Sequence, residues 1–137
     1  MSIIYHPRRD SLLSASADHT IIETNRDGEI LHILEDHTNW VCHLGMRLNE
    51  REFCSSSYDQ TILRWRCSDD AESPPEVISC LRGHSYFVTV SIYVGNEERL
   101  VSSSYDGSAI LWDLATNSQL YHFNHSYGIQ VCFFFYL

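Results

Sequence analysis

The apolar positions of this chain fall in short runs of four to eight residues, separated by turn-forming residues. The clearest run is Phe87 to Val94, made almost wholly of β-branched and aromatic residues, with Val88, Val90, Ile92 and Val94 on one side of an extended chain. Glu52 to Tyr58, Thr61 to Arg66, Arg99 to Tyr105 and Ser108 to Asp113 are of similar length and character. Asp106-Gly107, Asp59-Gln60 and Asp27-Gly28 supply hairpin signals between such runs. Several runs lack a clean polar alternation, as strands do when both faces of their sheet are covered. No stretch sustains a 3.6-residue period. The pattern predicts an all-β protein.

The runs also repeat. Ser11 to Asn25, Glu52 to Arg66 and Arg99 to Asp113 align without gaps on Asp18, Asp59 and Asp106, which are 41 and then 47 residues apart. A serine stands four residues before each aspartate (Ser14, Ser55, Ser102), and Thr24, Trp65 and Trp112 stand six after. His37 and His84 each precede their aspartate by 22 residues. The six extra residues of the longer interval lie between Trp65 and His84, in the acidic, proline-broken stretch Cys67 to Glu76. That stretch reads as an enlarged surface loop.

Such a repeat, opening on Gly-His and closing on Trp-Asp, resembles the WD-repeat β-propeller family. Gly83-His84 and Trp112-Asp113 match both signatures, while Asp36-His37 with Trp65-Arg66 keeps the histidine and the tryptophan. The first unit has Thr24-Asn25 at the closing position, and Asn124-His125 opens a further unit. The resemblance implies four-stranded blades at residues 1–36, 37–82 and 83–123, then a lone strand of a fourth blade within 124–137, at Ile129 to Tyr136. Three blades do not close a ring, so the expectation is an incomplete propeller whose remainder lies outside this chain.

The resemblance also assigns roles. His37, Ser55, Asp59 and Trp65, and again His84, Ser102, Asp106 and Trp112, would form buried hydrogen-bonded tetrads. A serine, histidine and aspartate together also suggest a hydrolase triad, but a set repeated in each blade is a scaffold element. We therefore expect no catalytic residues. The d-to-a and b-to-c loops of a propeller open on one face, commonly the partner-binding face. There the pattern places Trp40, Tyr58, Phe87 and Tyr105 as partner-binding residues, with Tyr86 beside them. Arg64 occupies a slot before the tryptophan that the family usually fills with an aliphatic residue. It reads as a snorkelling side chain or an ion pair with a neighbouring blade, or else as a partner contact.

Charge and composition narrow the partner. Eighteen acidic residues against nine basic ones give a net charge of −9, every basic residue is arginine, and 44% of the chain is hydrophobic. An acidic chain repels phosphate backbones, so nucleic acid is not expected, and a protein or peptide of basic character is. The longest apolar run, Val131 to Leu137, is far short of the ~20 residues of a membrane helix, and MSIIYHPRRD lacks the layout of a secretory signal. The five cysteines show no CxxC spacing and read as free thiols, which favours the cytoplasm, with the nucleus as alternative. His122 and His125 stand at no metal-ligand spacing from Cys80 or Cys132, so no metal or cofactor is expected. The function these features imply is a non-catalytic interaction scaffold within a larger multiprotein complex. The alternatives are a substrate receptor of a ubiquitin ligase, although neither tryptophan is followed by the full Trp-Asp-x-Arg, and, from another class, a Ser/His/Asp hydrolase.

Overall fold

A computed structural model describes residues 1–95 and 98–125. Twelve strands lie within the described residues, with no helix among them. They are β1 (Ile3–His6), β2 (Ser11–Ala15), β3 (Ile21–Thr24), β4 (Ile30–Leu34), β5 (Val41–Met46), β6 (Glu52–Ser57), β7 (Thr61–Arg66), β8 (Glu76–Arg82), β9 (Val88–Val94), β10 (Arg99–Ser104), β11 (Ser108–Asp113) and β12 (Ser118–Asn124). Each consecutive four makes one antiparallel sheet in simple meander order, giving three blades and no closed ring among these residues. The strand expected at Ile129 to Tyr136 lies outside the described residues.

Local chemistry explains the meander. At each b-to-c turn an aspartate accepts the backbone N–H two residues on: Asp18 from Thr20 at 3.0 Å, Asp59 from Thr61 at 2.9 Å and Asp106 from Ser108 at 2.8 Å. The residue between has a left-handed backbone, with φ of 79° at His19, 74° at Gln60 and 83° at Gly107. The aspartate side chain thus substitutes for a backbone acceptor and holds the turn in that conformation. Every blade also breaks register once between its third and fourth strands, at Glu23/Thr24, Arg64/Trp65 and Leu111/Trp112. A bulge at one repeat position adds local twist in each sheet. β9 begins one residue later than the apolar run, because Phe87 belongs to the loop before it.

The core sits between blades. Leu13, Ala15, Ile21 and Leu34 of the first blade close on Val41, Leu44, Phe53, Leu63 and Trp65 of the second. Cys54, Ile62 and Leu81 of the second close in the same way on Val88, Leu100, Ile110 and Trp112 of the third. Each junction is a sheet-on-sheet contact in which the tryptophan packs towards the preceding blade.

The loop within Cys67 to Glu76 is the surface loop its composition suggested, with Ser68, Asp69, Asp70, Glu72, Ser73 and Pro74 exposed, but it is tethered. Cys67 and Pro75 are buried, and the loop is drawn onto the first blade by Arg9. The Arg9 guanidinium donates to the carbonyls of Ser68, Asp70, Ala71 and Ser73 at 2.9–3.2 Å. It also pairs through Nε and Nη2 with both carboxylate oxygens of Glu23, at 2.8 and 2.9 Å, where neither side chain is exposed. His32 adds a contact from its Nε2 to the Ala71 carbonyl at 2.8 Å. A planar cation with five donors suits a loop that turns several carbonyls inward.

Candidate functional site

The two tetrads are built alike. The Trp65 indole N–H donates to Ser55 Oγ at 2.8 Å, and that oxygen lies 2.7 Å from His37 Nε2. His37 Nδ1 lies 2.7 Å from Asp59 Oδ2, which also accepts the Thr38 backbone N–H at 3.1 Å. In the third blade the corresponding distances are 2.8 Å from Trp112 to Ser102, 2.7 Å from Ser102 to His84, and 3.1 Å from His84 to Asp106. One proton order satisfies every group: indole to serine, serine to Nε2, and Nδ1–H to carboxylate. The first blade has the turn aspartate and Ser14 but carries Thr24 in place of tryptophan. Its Ser14 hydroxyl bonds only the Ile22 carbonyl, at 3.3 Å.

These distances would suit a hydrolytic triad, but the surroundings do not. Ser55 and Ser102 are wholly buried, each already holding an indole donor, so a substrate carbonyl has no approach to either hydroxyl. Burial would raise the Asp106 carboxyl, but hydrogen bonds from the Ser108 hydroxyl and from the Ser85 and Ser108 backbone N–H groups outweigh it and bring it down to about 2. Asp59 is likewise held far below the carboxylate range: burial opposes this, and the bonds to His37 and Thr61 overcome it. Burial pushes His84 below its ordinary value, against the pull of Asp106.

A pH dependence follows. His6 and His43 are also lowered, chiefly by burial, so three histidines bind a proton less readily folded than unfolded. Their contribution is fully present above the unfolded value of 6.5 and is lost as pH falls through the lower folded values. Asp106 adds a second loss, beginning near its ordinary 3.8 and complete near 2. The urea midpoint should be level from about pH 7 to 8, fall below about 6.5 and fall again below about 4. A midpoint unchanged from neutral pH to pH 5 would contradict this.

Arg64 proves to be a junction residue. Its buried guanidinium donates from Nη2 to Glu52 of its own blade at 3.0 Å. From Nη1 it reaches the Leu114 carbonyl at 3.2 Å and Asn117 Oδ1 at 3.1 Å in the third blade. The ion pair is therefore within the blade, the adjacent blade supplies neutral acceptors, and the burial rules out contact with an outside partner.

The four loop residues come together. Trp40 stacks on Tyr58 (centroids 5.5 Å, planes 23° apart), Tyr58 on Phe87 (4.2 Å, 4°), and Phe87 meets Tyr105 edge-on at 6.4 Å. Tyr86 stacks on Phe87 at 4.0 Å, a larger part in the cluster than its sequence position suggested. Backbone bonds fix the frame: Tyr58 N–H to the Trp40 carbonyl at 2.9 Å, and Tyr105 N–H to that of Phe87 at 3.0 Å. A row of rings thus crosses from the second blade to the third on the d-to-a and b-to-c side, with Trp40, Tyr86 and Tyr105 40–50% exposed. The tetrad aspartates follow Tyr58 and Tyr105 directly in the chain.

The family model "WD domain, G-beta repeat" matches residues 28–66 and 75–113, more than half of the chain. The chain belongs to the WD-repeat family. This WD-repeat chain is 29% identical over 156 aligned positions to the striatin homolog of Dictyostelium discoideum, covering 94% of itself and 19% of that protein. It is 33% identical over 86 residues to MST50-interacting protein 11 of Pyricularia oryzae, covering 62% of itself and 27% of that protein. Against the guanine nucleotide-binding protein subunit beta of Zea mays it is 27% identical over 123 residues, covering 87% and 32%. Among solved structures, that of U3-55K superposes with a TM-score of 0.78 at 22% identity, over 92% of this chain and 39% of that one. The chain therefore spans between a fifth and two fifths of the length of these proteins.

Sequence reasoning missed the Arg9–Glu23 pair. A signal for it existed: Glu23, Arg64 and Leu111 occupy one repeat position, and a charge in a slot that elsewhere takes leucine needs a partner.

Proposed function

We propose that this WD-repeat chain is a non-catalytic interaction scaffold that binds a protein or peptide, of basic character, on the loop face through Trp40, Tyr58, Phe87 and Tyr105. The carrying observation is the continuous row of rings across two blades, with its outer members half exposed. The tetrad histidines, serines and aspartates are bonded to one another, which leaves the ring row as the apolar surface of that face. Such residues bury area at low entropic cost and dominate binding when desolvated. The kinship with striatin and G-protein β relatives fits a role in a larger complex.

Replacing Trp40 and Tyr105 together by alanine should reduce capture of the principal bound protein at least tenfold, by quantitative mass spectrometry, and leave the thermal midpoint nearly unchanged. A truncated aromatic hot spot costs about 2 kcal/mol or more, which sets that expectation. Undiminished capture by the double variant, with loss on altering the Cys67 to Glu76 loop, would move the interface to the opposite face.

A further inference from the structure

We propose that the Trp40 end of the aromatic row is a stacking slot for one arginine side chain of a basic peptide; this rests on the loop-face reading above and specifies its ligand. The repeat itself supplies the argument. Tyr58 and Tyr105 stand one residue before their turn aspartates, and the residue in that place in the first blade is Ala17, before Asp18. Tyr58 covers the Phe87 ring of the following blade at 4.2 Å and 4°. Carried back one blade, the same relation sets Ala17 against Trp40. The Val41 N–H donates to the Ser16 carbonyl at 3.0 Å, which holds the first b-to-c turn beside the chain that carries Trp40. A methyl group cannot cover an indole. Trp40 therefore stacks on Tyr58 by one face and remains 50% exposed.

The acidic residues of the two loops that flank Trp40 in the repeat favour a cation. Asp18 is exposed, and hydrogen bonds from Thr20, then Ser16, hold its carboxyl below its ordinary range, so it is ionised at neutral pH. Glu35 and Asp36 are exposed in the loop that leads to Trp40. Seven of the nine arginines lie in the a-to-b or c-to-d loops or at the strand ends beside them, Arg64 is buried, and only Arg82 stands at the loop-face end of a strand. A guanidinium is planar, stacks on an indole face and can reach a carboxylate from its edge. An ammonium lacks the plane, and an uncharged aromatic ring gains nothing from Asp18 or Asp36.

The test is an NMR titration of the full chain, following the Trp40 indole signal, with glycine-serine nonapeptides whose central residue is arginine, lysine, citrulline or alanine. Arginine should shift the signal saturably. Lysine and citrulline should bind about threefold to fivefold more weakly, as loss of the plane or of the charge at an exposed site implies, and alanine not measurably. Ala17→Tyr should complete the stack and abolish the shift with the thermal midpoint retained, while Asp18→Asn should weaken binding and flatten its salt dependence. Citrulline binding as well as arginine, or arginine binding undiminished in both Ala17→Tyr and Asp18→Asn, would overturn the proposal. If Ala17→Tyr leaves intact a protein capture that Trp40→Ala with Tyr105→Ala removes, the arginine slot fails and the loop face stands. If neither change affects capture, the loop-face reading itself fails.

Discussion

Replacing Arg9 by methionine should cost about 3–5 kcal/mol of stability, the range seen when one member of a buried ion pair is removed. The change leaves the Glu23 carboxyl wholly buried without its cation, with the Ser11 hydroxyl at 2.6 Å as its remaining hydrogen-bond donor. It also withdraws donors from four carbonyls of the 68–73 loop, which will meet water once the loop lifts from the first blade. Removing the acid as well, in Arg9→Met with Glu23→Leu, should recover much of the loss, because an apolar pair of similar volume carries no stranded charge. Urea unfolding of the three proteins, with limited proteolysis between residues 67 and 76, reads both effects. Equal losses in the single and double variants would mean that the stranded carboxylate contributes nothing and that the loop contacts carry the whole effect.

Ser55→Val should cost about 2–6 kcal/mol, because it strands two buried groups at once at about 1–3 kcal/mol each. The Trp65 indole N–H loses its acceptor and His37 Nε2 its donor, in a site closed to water. Ser14→Val at the corresponding place in the first blade should change stability by no more than about 0.5 kcal/mol. That serine is partly exposed, bonds one carbonyl at 3.3 Å and has no tryptophan or histidine to serve. The contrast isolates the tetrad from serine's general fit to a strand. Similar shifts of the urea midpoint at both positions would show that the tetrads do not act as units.

The features that could be read along the chain are those produced by neighbours in sequence. Asp59 and Asp106 announce their turns because a carboxylate two residues before an N–H can bond it whatever the rest of the fold does. The repeat then carries this local information to longer range. His37 and His84 could be assigned to their aspartates, 22 residues away, because the interval occurs twice and the family resemblance gives it a role. The aromatic residues also fall at equivalent positions of adjacent units, and the family resemblance is what placed them on the loop face.

What no interval encodes is the chemistry joining one unit to the next. Arg9 meets Glu23 and then carbonyls about sixty residues further on, and Arg64 meets Asn117; neither spacing recurs, because each junction solves its own packing. The enlarged loop illustrates the difference. Its acids and prolines correctly mark an interruption of the strands, yet where it lies depends on a buried guanidinium of another blade. The sequence by itself determined the short strands, their turns and the repeat, since these are local or periodic, and its resemblance to the WD-repeat family implied the blades and the tetrad members. The tertiary structure alone decided which charges are buried at the junctions and that the rings close into one row. Desolvation and ring contact depend on which surfaces meet in space.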